Sequence, residues 1–251
     1  MRFLTKSRFK QALECPTKLY YTNKRTLEET KDPSIPLYAD TRNEDSFLLS
    51  LAEGGFQVGE LAKFYFHDNP IDKQITINTR DYAEAIKQTK EMLKNPGRVV
   101  IAEAAFMYSG LFVRVDILVK EDEKISIYEV KAKSWNENKD SFFDEKKSKI
   151  TSKWVPYVYD LAFQKYVVKN ALKRNDIKAF LTLVDKTQKS DVEGLNQLFS
   201  IEKLHGNTFV NVKENLKRSD LGKCKLLINK NVDEECWKIE NEFDVPTDLG
   251  E

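Results

Sequence analysis

Histidine is nearly missing from this chain, with only His67 and His205 in 251 residues. Both are isolated in the sequence and read as ordinary surface or core residues rather than metal ligands. Cysteine is scarce too: Cys15, Cys224 and Cys236 are odd in number and widely spaced. That excludes the disulfide framework on which small secreted domains rely, and reduced thiols are expected. No long Gly/Ser or Pro tract is present, which argues against wholesale disorder. No segment approaches the length of a membrane span, and charges interrupt the opening MRFLTKSRFKQALECP every few residues, leaving no apolar signal-peptide core. A cytoplasmic protein with no membrane partner is expected. Charge of one sign is lacking as well: 41 Lys and Arg face 40 Asp and Glu, a formal net charge of +1. No global positive field announces a nucleic-acid partner, but balance does not exclude one, because an acidic metal site and a basic strand-binding groove can coexist.

What is present suffices for one main core with an appendage: 41% hydrophobic residues, including 15 Phe and 10 Tyr. The pattern predicts a helix over residues 3–22 broken at Cys15-Pro16, a polar loop over 23–43, and a helix over 44–66 that Gly54 and Gly55 bend or divide. A short strand over Lys73–Thr79 and a helix over Asp81–Lys94, capped by Thr79 or Asp81 and stopped by Asn95-Pro96-Gly97, come next. Extended segments Val99–Phe106, Leu111–Lys120 and Ile125–Lys133 form an antiparallel meander. Residues 141–150 read as a loop or exposed helix, Ser152–Lys173 as a long helix and Lys178–Asp185 as a strand. Past about residue 190 the pattern weakens to a short helix, a strand at Thr208–Val212 and a charged tail. The expected organisation is a core over 1–190 and a partly irregular extension over 191–251 packed on it.

The chemistry is concentrated in LFVRVDILVKEDEKISIYEVKAKS. Side chains alternate along a strand, so Glu129 and Lys131 project from one face while Tyr128, Val130 and Ala132 pack on the other. On the preceding strand Val113, Val115, Ile117 and Val119 are expected to share a face, with Asp116 interrupting the other. Unpaired carboxylates in apolar strands are costly, and a divalent cation with a nearby lysine is a suitable partner. Asp116 and Glu129 are thus candidate ligands for Mg2+ or Mn2+, and Lys131 a candidate to orient or deprotonate a water or to stabilise phosphorane charge. Alone, the pattern is short and equally describes a surface ion pair on an edge hairpin.

The segments LTKSRFKQALECPTKLYY, GGFQVGELAKFYF, AEAAF, VRVDIL with YEVKAKS, and YDLAFQKYVV, in that order, resemble the RecB-type branch of the PD-(D/E)xK nuclease superfamily. More narrowly they resemble bacterial predicted nucleases related to the CRISPR adaptation exonucleases, over roughly residues 3–185. The resemblance implies an α/β, restriction-endonuclease-like core with a central mixed sheet flanked by helices. It also implies Mg2+- or Mn2+-dependent hydrolysis of DNA, with a single strand or duplex end as partner and further subunits or a longer parent chain as additional possibilities. A non-catalytic nucleic-acid-binding or scaffolding module on the same fold is the alternative. Asp116, Glu129 and Lys131 fall on the metal-and-lysine motif, and Glu60 is the nearest match to the acidic residue or His of an early helix. Glu103 is read as an edge-strand carboxylate. Relatives carry a Gln and a Tyr four apart on the helix after the motif; here either Gln164 is that Gln with the Tyr displaced, or Asp160 and Gln164 fill both places. Relatives often bind an iron-sulfur cluster through one early and three late cysteines. With Cys15 early and only Cys224 and Cys236 late, no cluster is expected in this chain: either further cysteines lie beyond it, or the lineage kept Cys15-Pro16 for packing.

Overall fold

The computed structural model describes residues 3–21, 46–67, 72–146, 149–204 and 207–242. In chain order the elements are β1 (Leu4–Thr5), α1 (Lys6–Glu14), α2 (Pro16–Tyr21), α3 (Ser46–Phe66), β2 (Lys73–Thr76), α4 (Tyr82–Leu93), β3 (Arg98–Tyr108), β4 (Leu111–Glu121), β5 (Lys124–Trp135), α5 (Val155–Leu172), β6 (Lys178–Asp185), β7 (Phe199–Leu204), β8 (Asn207–Val212), β9 (Leu227–Asn231) and α6 (Asp233–Asn241). The predicted 23–43 loop lies outside the described residues, as does His205. Among the described residues no helix is long and apolar enough to cross a membrane.

The Val- and Ile-rich meander sits at the centre of a mixed sheet of order β2-β3-β4-β5-β6-β9. The β2–β3 and β5–β6 pairs are parallel, and β3–β4, β4–β5 and β6–β9 are antiparallel. Two tight turns set the meander. Tyr108 pairs with Leu111 across Ser109 and Gly110, both at positive φ, and Glu121 pairs with Lys124 across Asp122 and Glu123. Positive φ in a two-residue loop matches the right-handed twist of the strands it joins.

β4 and β5 then part company. Their pairing runs from Glu121–Lys124 only to Ile117–Tyr128, leaving the first half of β4 without β5. β3 occupies the opposite edge of β4 along its whole length, so β1, parallel to β4 at Leu4–Leu111 and Thr5–Phe112, takes the edge that β5 has left. Thr5 leads directly into α1, which therefore starts at the fork between the two central strands.

One sheet face carries the larger core, formed with α4 and α5 and including Val158, Leu161, Val167, Ile127 and Leu181. α5 is apolar nearly all round because the core encloses it, and it ends at Lys173 in the left-handed conformation. The other face is covered by α3 through Ala62 and Phe66 against Val100, Ile117 and Val119. α3 runs unbroken through Gly54 and Gly55, contrary to the expected bend or division. Packing on the sheet outweighs a propensity cost of about 1 kcal/mol per glycine. Asp81 is the cap of α4, accepting from the Glu84 amide at 2.7 Å. The segment 141–150 is no exposed helix: Phe143 bridges Ile150, and Phe142 and Ile150 are buried in the core beside Trp135 and Trp154.

After residue 190 the chain divides in two. The β7–β8 hairpin packs on α3 around Leu61 and Phe199. β9 then extends the main sheet beside β6, and α6 packs on α5 with Val232 and Cys236 in the main core.

Candidate active site

The expected alternation along β4 fails at one place, and that place is the site. Val113 and Val115 join the core cluster under α5 together with Leu118, whereas Ile117 and Val119 lie in the cluster under α3. The strand therefore changes side at Asp116. β3 changes side in the same row, from Val99 and Ile101 to Ala104 and Phe106, through Glu103 at φ 59°. Because both strands switch together, the pairs Ala102–Ile117 and Ala104–Val115 keep one register around the unpaired Glu103 and Asp116. A non-glycine residue in the left-handed region is uncommon and marks local strain at functional positions. Glu103 is not on an edge strand as expected: β3 is an inner strand between β2 and β4, and the pairing of β2 with it ends one residue before Glu103, at Ala102.

With the ladder interrupted, the Asp116 carboxylate takes over one of its bonds: Oδ2 accepts from the Val130 amide at 2.8 Å. Glu129 lies alongside, fully buried, with Lys131 donating to its Oε1. From α5, Gln164 donates through Nε2 to Glu129 Oε2 at 2.7 Å, and Asp160, one turn earlier, lies 3.6 Å from the Lys131 ammonium. The sequence-derived set Asp116, Glu129, Lys131 and Gln164 is thus brought together, with Asp160 beside it. Asp160 and Gln164, one turn apart on α5, both reach this cluster, whereas Tyr157 is under the Lys133 ammonium, 5.0 Å from its ring centre.

Glu60 is not brought in. It pairs with Lys63 of its own helix at 2.6 Å, and α3 packs on the sheet face opposite α5. Among the described residues Glu60 makes no ion pair or hydrogen bond with Asp116, Glu129 or Lys131, although the charge of its partner Lys63 reaches Glu103 beside them. The sequence reading missed Lys6 and Lys10, which α1 delivers from the other direction. Lys6 Nζ donates to Glu129 Oε1 at 2.8 Å and Oε2 at 2.9 Å and lies 3.8 Å from Asp116, and Lys10 donates to Asp160 Oδ2 at 3.3 Å. The spacing of four that puts both lysines on one face of α1 was the available signal. Phe9, stacked on Phe163 at 4.5 Å, holds that helix against α5.

Three carboxylates, Asp116, Glu129 and Asp160, therefore meet three ammonium groups, Lys6, Lys10 and Lys131. Burial alone would raise the Glu129 pKa, but the charges of Lys6 and Lys131 outweigh it and hold this carboxyl well below the usual range. Asp116 goes the other way: burial and then the charge of Glu129 push it up to about 7. Burial, followed by Glu129, also raises Asp160. Burial raises Glu103 despite the nearby charges of Lys63, Lys6 and Arg114. Lys6 and Lys131 resist the downward pull of burial because Glu129 stabilises their charged forms.

Among the described residues no group of three His, Cys, Asp or Glu side chains is disposed as a metal cage. Two carboxylates are nonetheless enough for Mg2+, which keeps waters and takes substrate oxygens for its remaining positions. The donor set fits such an ion in two respects. Asp116 and Glu129 already share one cation, the Lys6 ammonium, so a single point lies within reach of both. Asp160 Oδ1 and Gln164 Oε1 are buried acceptors with no donor among the described residues, a costly arrangement that asks for a further polar occupant. The cysteines form no disulfide, and Cys236 is sealed in the core, where burial pushes its thiol pKa up. Searches of protein-family models, curated proteins and solved structures find no match to this chain.

Proposed function

We propose that this chain is a metal-dependent nuclease of the PD-(D/E)xK type that hydrolyses DNA phosphodiester bonds, its mixed sheet being a variant of the restriction-endonuclease core. The observation that carries this reading is the convergence of Asp116, Glu129, Lys131 and Gln164 at the fork between β4 and β5. Asp116 and Glu129 would hold Mg2+ or Mn2+, which when bound supplies polarisation of the phosphate and a water of lowered pKa. The residues do the rest. Lys131 is held protonated by Glu129, so it serves as a hydrogen-bond donor to the attacking water and a stabiliser of developing negative charge, not as a base. Gln164 fixes the orientation of Glu129, and Lys10 balances Asp160 at the rim. A single strand or duplex end is the substrate of this reading, and Lys133, two residues beyond Lys131 on β5 and over the rings of Trp154 and Tyr157 at 5.1 and 5.0 Å, supplies a further cation for its backbone.

One observation favours the rival reading, a binding module without catalysis: the cluster is balanced charge for charge with no metal. Cleavage of single-stranded and blunt-ended duplex DNA by the full chain with Mg2+ or Mn2+ separates the two. The nuclease reading expects cleavage that chelator stops and that Asp116→Asn and Lys131→Ala abolish, with circular dichroism unchanged. DNA binding without cleavage under either metal would establish the rival.

A further inference from the structure

Glu129 has no oxygen left over. Lys6 donates to both of its oxygens, Lys131 to Oε1 and Gln164 to Oε2. Lys131 and Gln164 are committed to this carboxylate by the strand and the buried helix that carry them. Lys6 differs on two counts. It stands at the first position of α1, and it alone among the described residues pairs with both Asp116 and Glu129. A divalent cation shared by these two carboxylates would need the lone pairs that the Lys6 ammonium now uses, and two like charges cannot occupy one position in a poorly solvated site.

We propose that Lys6 is the resident counter-ion of the metal position: it neutralises Asp116 and Glu129 when no metal is bound, yields that position to a divalent cation, and then binds the substrate phosphate. The lysine stem is long and flexible, and its helix begins at the fork, so the ammonium moves by rotation of the side chain alone. The phosphate held at the same point is the nearest new anion for it. Lys10, one turn along the same helix face, pairs with Asp160 and with neither Asp116 nor Glu129, which leaves Lys6 as the exchanging member of the pair.

This inference rests on the metal-dependent reading above, and its test separates the two. Mn2+ alone is titrated calorimetrically into the full-length wild type, Lys6→Met and Lys6→Gln; the glutamine variant retains a donor to Glu129 if the methionine variant does not fold. Both variants should bind Mn2+ roughly tenfold more tightly, because a competing charge has gone. At saturating Mn2+ they should cleave DNA at least about tenfold more slowly, for want of the phosphate contact. Wild-type binding with no gain in either variant overturns the counter-ion role and leaves the metal reading standing. Tighter binding with undiminished cleavage overturns the phosphate role. No Mn2+ uptake by any of the three overturns both proposals.

Discussion

Gln164 Nε2 donates to Glu129 Oε2 at 2.7 Å, tying the middle of α5 to the carboxylate strand between two fully buried side chains. In the Gln164→Ala variant the loss falls on orientation more than on fold, because Glu129 keeps its lysine partners. Cleavage should drop about 100-fold, as expected for a slip of an ångström in a reacting geometry. Denaturant unfolding should report a loss of only ~1–3 kcal/mol. A destabilised variant of full activity would make the contact purely structural.

Removing the hub has a different signature. Glu129→Ala strips Lys6 and Lys131 of their shared partner and leaves charges in a site with little water. Urea titration should show a loss of ~3–5 kcal/mol, the range for breaking a buried ion pair from one side. Lys153→Ala, which removes a half-exposed partner of Asp140, should change stability by less than ~1 kcal/mol.

Glu60 provides a negative control. Because it pairs with Lys63 within α3, Glu60→Ala should leave Mn2+ affinity unchanged in calorimetry and alter stability by no more than ~0.5 kcal/mol. A loss of Mn2+ binding would mean that its carboxylate reaches the metal position after all.

Glu235 should govern part of the pH dependence of stability. Burial in the first turn of α6 raises its pKa from 4.5 to about 7, so the folded protein holds this proton more tightly than the unfolded chain does. Its contribution is fully present below the unfolded value and is lost as pH rises through about 7. Glu235→Gln, neutral throughout, should match the wild type at low pH and exceed it by ~1–3 kcal/mol at alkaline pH. Melting curves across that range would show parallel profiles if the carboxyl titrates normally.

How far the sequence revealed this arrangement depended on whether chemistry left a local pattern. Glu129 and Lys131 were legible because strand alternation places them on one face, and Asp160 and Gln164 because polar residues four apart interrupt an apolar helix. Lys6 and Lys10 have the same spacing, but on a short helix with abundant polar residues that pattern also describes a solvated face. The change of side at Asp116 was illegible because it depends on β3 switching in the same row, a cross-strand property that no single strand records. β9 looked like part of a weak tail because it is short and has only β6 as a partner.

β1 pairs with β4 at only two positions, yet the charge cluster depends on it. Leu4 donates to the Gly110 carbonyl at 3.0 Å, and with Phe9 this fastening holds two of the three ammonium groups over the carboxylates. Partners so distant along the chain meet only after a long loop closes, so the cluster is completed late in folding. Without that segment Asp116 loses its ion pair with Lys6 and Lys131 is left to Glu129 and Asp160, an imbalance of negative charge that favours water in the fork. Docking of the N-terminal segment and drying of the fork therefore form one cooperative event, and amide exchange at Leu4 reports the free energy of reopening it.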